Sequence, residues 1–287
     1  MKKLGITIRD VVVILLLVVV AQVIPQIVLG LPQIFSPAIK NSHSYILMSF
    51  VLIPLCYLFL FYYGFVWLKK HLYNNDFNSI TVHLKPIDGI KYFSYALLLI
   101  VLLLCGSFIA GLHLTTPVLN HWEFTQNLVS EGLMFFAPPF VEEVAFRGVI
   151  IEQVARQYNL ITGVIVSSLL FGLVHLMNGA LNFISAVQLI LSGALMGCLL
   201  SLIYLYTGSI WANYILHATY NLFFTIVPIQ ANVTHDWPFQ FIFTSHSQLI
   251  TGGQYGSDCS LAFYVAYLLM IVLFLYLLRS KWVRNSH

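Results

Sequence analysis

Eight stretches of this 287-residue chain are long enough and apolar enough to cross a bilayer, and that leaves few architectures open. They are 10–30, 45–68, 92–113, 126–157, 160–177, 183–206, 209–228 and 259–279. A hydrocarbon core takes roughly 20 apolar residues as a helix. Lipid offers no water to backbone groups, so such stretches span as helices, which satisfy their own N–H and C=O. The expected fold class is all-α: a polytopic membrane protein with about eight transmembrane helices. Composition agrees, with 60% of residues hydrophobic and 8% charged, where a soluble domain carries roughly 25% charged residues. The net charge is +3 and no basic cluster stands out. The partners this implies are the lipid bilayer and no nucleic acid.

Basic residues set the orientation, because cytoplasmic loops carry the excess of Lys and Arg. With both N- and C-termini cytoplasmic, Lys2, Lys3, Arg9, Lys69, Lys70, Lys85, Lys91, Arg156, Arg279, Lys281 and Arg284 all fall inside, and Lys40 falls outside. The 229–258 loop has no Lys or Arg, as an external loop can. The run from Val11 continues through Val28 without an Ala-x-Ala end, which reads as an uncleaved first span rather than a signal peptide. The residues around Asn74-Asn75-Asp76 read as a solvated connector. The four cysteines are scattered and form no C-x-x-C, so neither a thiolate zinc site nor a disulfide framework is expected. Gly193 and Gly197 form a GxxxG in the sixth span, a spacing that lets helix backbones approach closely in lipid. Three units are expected: residues 1–125 with three spans, 126–228 with four, and 229–287 with an external loop and the last span.

The fourth stretch is too long for one straight span and is broken at Pro138-Pro139. Just after the break it carries Glu142, Glu143 and Arg147. Each such side chain costs about 2.5–3.5 kcal/mol at a bilayer centre on insertion scales, so three together need a use. Glu143 and Arg147 are four apart, share a helix face and can pair. Glu142 points about 100° away and is left as a lone buried acid, a setting that suits a general acid or base. Two more spans carry His175, and His217 with Asn221. His217 and Asn221, again four apart, offer two hydrogen-bond donors on one face, enough to hold an oxyanion. Taken singly, each set also reads as packing: an ion pair, a hydrogen-bonded histidine, an interhelical clamp. Together they point to one shared, wet, internal site.

At these residues the chain resembles the CPBP intramembrane protease family, which includes the type II CAAX prenyl proteases and bacterial relatives linked to bacteriocin processing and self-immunity. Its pattern is EExxxR, then FxxxH, then HxxxN. This chain has Glu142-Glu143-Val-Ala-Phe-Arg147, Phe171-Gly-Leu-Val-His175 and His217-Ala-Thr-Tyr-Asn221, complete and in order. The resemblance implies that Glu142 activates the attacking water and His175 positions or polarises it. It implies that His217 and Asn221 stabilise the oxyanion, with Glu143 and Arg147 supporting. The family is widely labelled a metalloprotease, which leaves the cofactor open between none and Zn2+. Glu142, His175 and His217 are the three residues that zinc would take. There is no H-E-x-x-H, and a glutamate with an oxyanion hole needs no metal.

The function expected from these residues is an intramembrane endopeptidase acting on a peptide or membrane-protein substrate. A non-catalytic membrane partner, such as an immunity protein or sensor-kinase regulator, is the alternative. A proton-relaying transporter is a third reading, without repeated halves to support it. The Met1-Lys2-Lys3 start and compact loops point to a bacterial plasma membrane.

Overall fold

A computed structural model describes residues 2–36, 38–39, 42–73, 86–179, 182–230 and 232–285. Lys40, Lys85 and the connector around Asn74-Asn75-Asp76 lie outside them. Three long helices come first: α1 (Lys2–Phe35), α2 (His43–His71) and α3 (Pro86–Ile109). A short strand, β1 (Leu112–Thr115), leads to α4 (His121–Met134) and α5 (Ala137–Glu143). A π-helical segment, Val144–Ile151, then joins α5 to α6 (Glu152–Gln157). Next come α7 (Leu160–Val174), a 3-10 turn at His175–Asn178, α8 (Phe183–Thr207) and α9 (Ile210–Ile226). Strands β2 (Ile229–Gln230) and β3 (Gln240–Phe243), the short α10 (Gln248–Thr251), a 3-10 turn at Ser257–Cys259 and α11 (Leu261–Asn285) complete the order.

The protein is an all-α polytopic membrane protein. Among the described residues six helices are long and apolar enough to span, within α1, α2, α3, α7 with its 3-10 turn, α8 and α11. Two of the eight expected spans have another form. The 126–157 stretch is divided among α4, α5, the π segment and α6, and 209–228 is the 17-residue α9. The division comes where the prolines sit. Helix α4 ends at Met134, two residues turn, and α5 restarts with Pro138 and Pro139 in its first turn, where a missing N–H costs nothing.

Local chemistry ends the other core helices. Asn159 and Asn182 each accept from the backbone N–H three residues on, at 2.9 and 2.8 Å, and so cap α7 and α8. Ser209 caps α9 through the N–H of Trp211 at 3.2 Å, satisfying donors a helix start leaves free. Gly208, at φ +70°, ends α8 in the left-handed conformation that glycine adopts without strain.

Lipid replaces water outside, so the exterior is as apolar as the core. Leu16, Val20, Ile27 and Leu31 on α1 and Leu268, Leu269 and Val272 on α11 face outward. Helix α8 is the most enclosed of the six and packs against α7, α9 and α11. The α7–α8 contact is backbone to backbone. A Cβ on Gly193 would lie 2.6 Å from the Cα of Gly172, and one on Gly197 2.9 Å from the Cα of Ser168. The GxxxG therefore packs helices closely, as its spacing predicts. Lys91 and Lys281 both lie over the Tyr206 ring, 5.5 and 5.6 Å from its centre, bringing basic residues of α3 and α11 to the end of α8.

At the other end of α8, the 229–258 segment is more ordered than a loop reading suggests. Strand β3 pairs antiparallel with β1, Leu112 opposite Phe243, and parallel with β2, Ile229 opposite Phe241. The small sheet ties the end of α3 to the end of α9. No apolar span signals it, because its strands are four, two and four residues long.

The contact between α7 and α8 is open to test. Gly172→Leu drives a side chain into the Ile190 carbonyl and is expected to destabilise by about 1–3 kcal/mol. A Cβ on Gly30 meets nothing within 4 Å, and Gly30→Leu is expected to leave the melting temperature in detergent unchanged. Equal melting of the two variants would contradict this packing.

Candidate active site

The prolines that restart α5 aim its last turn, and with it Glu142 and Glu143, at the middle of the bundle. The following π segment is buried along its whole length, and π segments concentrate at functional sites. The two acids then part. Glu143 is fully buried, whereas the Glu142 side chain keeps 21% of its surface exposed.

Glu143 is the centre of a fixed network. Its Oε1 accepts from Arg147 Nη1 at 3.1 Å and from His217 Nδ1 at 2.9 Å. Arg147, fully buried, donates its Nη2 to the Gly197 carbonyl at 3.0 Å, which ties the π segment to α8. Its guanidinium also lies 4.6 Å from the centre of the Phe171 ring. One carboxylate thus joins α5, the π segment and α9, and Arg147 extends the tie to α7 and α8. Such a pair stands because each charge is matched and hydrogen-bonded.

The network sets the imidazoles. A carboxylate oxygen accepts, so His217 Nδ1 carries a proton and Nε2 is presented on the other side, 3.9 Å from Glu142 Oε2. That is beyond a direct hydrogen bond. His175 is held alike. Its Nδ1 donates to the Phe171 carbonyl at 2.6 Å, which leaves its Nε2 free for a ligand. Two imidazoles with Nδ1 committed and Nε2 available suit proton transfer, or donation once Nε2 is protonated.

A cavity of 370 Å³ gathers the predicted set: Glu142, His175, His217 and Asn221 all line it. Glu143 and Arg147 lie behind the wall. A second cavity of 270 Å³ adjoins it and shares Glu142 and His175. Among the described residues no three His, Cys, Asp or Glu side chains are gathered so as to hold a metal ion. Glu142, His175 and His217, as placed, do not make a ligand set.

The comparisons fall on this same part of the chain. A family model described as type II CAAX prenyl endopeptidase Rce1-like matches residues 124–223. This segment is similar to the Rce1-like type II CAAX prenyl endopeptidases. The match takes in about a third of the chain and all six predicted site residues. No curated protein and no solved structure matches the chain.

The cavity also draws on parts beyond the Rce1-like segment. Gln22 of α1, Asp258 ahead of α11 and Tyr267 within α11 line it, as does Tyr220 of α9. Sequence reading passed over these four. Gln22 was the most visible, one of two carboxamides, with Gln26, in an apolar span. Asp258 was read as part of an exterior loop, and nothing local distinguishes Tyr220 or Tyr267 from packing residues.

Removing the cation from the network separates fold from chemistry. Arg147→Ala leaves Glu143 buried without its charge partner and is expected to cost about 3–5 kcal/mol. Glu142→Gln, at the partly exposed acid, is expected to melt close to wild type. Both are read by thermal unfolding in micelles, and an Arg147→Ala protein as stable as wild type would show that the network is not structural.

Proposed function

We propose that this protein is an intramembrane endopeptidase that hydrolyses a peptide bond with water activated by Glu142. The observation that carries the reading is the pairing of one accessible acid with one locked acid. Glu142 faces the cavity and Glu143 does not. The accessible carboxylate takes a proton from water, and His175 Nε2 orients that water. His217 Nε2, protonated, and the Asn221 amide donate to the oxyanion as the carbonyl becomes tetrahedral. Such donors, fixed before the reaction, are worth most in a site shielded from bulk water. Glu143 beneath His217 balances the positive charge, and Arg147 balances Glu143 in turn. No step needs a metal.

The substrate class follows from the setting. A cavity among membrane helices receives a peptide or a membrane-anchored chain near its membrane segment. The Rce1-like description names prenylated CAAX substrates, which are a eukaryotic signal. In a bacterial plasma membrane, the setting read from the sequence, a secreted peptide precursor or bacteriocin is the better candidate. Peptide processing and self-immunity are the roles that fit.

Comparative peptidomics of cells carrying wild type or Glu142→Gln tests this directly. The variant is expected to lose processing by about 10²–10⁴ and to accumulate an unprocessed precursor. Products that persist would remove Glu142 from the mechanism. A cellular phenotype that survives the loss of cleavage would favour the non-catalytic partner instead. Asn221→Ala is expected to lower kcat by about 10²–10³ with little change in KM. Chelation is expected to leave activity intact. Stoichiometric zinc whose removal abolishes cleavage would overturn the metal-free mechanism.

A further inference from the structure

The cavity contains a second carboxyl that none of the three motifs supplies. Asp258 lies in the 3-10 turn before α11, outside the residues that match the family. The chain reaches it through Gly252, Gly253 and Gly256, at φ +86°, +67° and +106°, a backbone path open to glycine and strained for other residues. The Ser192 hydroxyl of α8 donates to the Asp258 carbonyl. The Tyr220 hydroxyl of α9 donates to Asp258 Oδ1 at 2.6 Å and lies 3.0 Å from the Tyr267 hydroxyl of α11. The main chain of Asp258 is thus tied to α8 and its carboxyl to α9, with α11 behind Tyr220, and Asp258 lines the same 370 Å³ cavity as Glu142, His175, His217 and Asn221.

Peptide hydrolysis moves two protons. One leaves the attacking water, and one must reach the leaving nitrogen, because an amide anion is too basic to depart. Glu142 accounts for the first. His217 and Asn221 are engaged with the oxyanion. We propose that Asp258 is the general acid of this site, donating the proton to the leaving amine nitrogen.

The proposal rests on the endopeptidase reading and completes its proton account. As water oxygen bonds to the carbonyl carbon, its proton goes to the Glu142 carboxylate. When the C–N bond breaks, the electron pair stays with nitrogen, which takes the Asp258 proton. Glu142 is then protonated and Asp258 ionised, and transfer through cavity water restores both. The groups facing Asp258 are the Tyr220 and Tyr267 hydroxyls and the His175 and His217 imidazoles, with Cys259 next in the chain. Burial pushes the Asp258 carboxyl up, outweighing the Tyr220 hydrogen bond and the two imidazoles, which act to lower it. A carboxyl held toward its protonated form, in one cavity with a second acid in a different setting, is how a site separates acid from base.

The leaving group provides the test. An internally quenched octapeptide library identifies a peptide that wild type cleaves. The nitrophenyl ester of its acyl half is then compared with the peptide itself. Nitrophenolate leaves without a proton. Asp258→Asn is expected to lower the amide-to-ester rate ratio by about 10²–10⁴, the usual worth of a general acid, and Asp258→Glu to recover part of it. In wild type, the amide-to-ester rate ratio is expected to fall on the alkaline side as Asp258 ionises. This second measurement stands even if the variants fail to fold. Equal losses on amide and ester, or matching pH profiles for the two, would overturn the role of Asp258 and leave the endopeptidase reading standing. A wild-type protein that hydrolyses neither would overturn both.

Discussion

Everything at the centre of this protein depends on the Glu143 carboxylate, which holds Arg147 on one side and His217 on the other. A buried charge without partners is among the most costly features a fold can carry. Here the acid is matched by a guanidinium, and that guanidinium is matched in turn by the Gly197 carbonyl and the face of Phe171. The tie is structural, yet it has a chemical result. It fixes which nitrogen of His217 carries a proton and which faces the cavity.

The close approach of α7 and α8 makes that tie possible. Gly172, Gly193 and Gly197 let the two backbones meet, so a carbonyl of α8 comes within reach of Arg147, and Phe171 of α7 lies over the same guanidinium. A bulkier stripe would separate the helices and leave the cation without its backbone acceptor. The ends of the bundle also contribute. The three short strands gather the ends of α3 and α9 and, with the glycine-rich turn after them, bring Asp258 to the cavity from a segment that follows the family-matched region.

The cavity is polar inside an exterior made for lipid. Water and carboxylates are affordable there because helices enclose them on several sides and because each fixed charge has a partner. Glu142 departs from the pattern. It alternates in sequence with a locked acid, keeps part of its surface exposed and sits 3.9 Å from the nearest imidazole nitrogen. A carboxylate with exposed surface and no direct hydrogen bond to the neighbouring imidazole is free to bond a reactant.

Much of this was legible in the chain. Apolar runs of span length define the fold class, because lipid admits few alternatives to a helix. Spacings of four place Glu143 with Arg147 and His217 with Asn221 on common faces, since helical periodicity is local. The break at Pro138-Pro139 could be located for the same reason. Other features became visible only when the helices were assembled. The Glu143–His217 bond joins residues 74 positions apart, and Asp258 reaches the cavity from beyond the last motif; no local period encodes either contact. Sequence determined which residues share a helix face. Tertiary packing decided which faces meet, and so which acid was buried in an ion pair and which was left open to water.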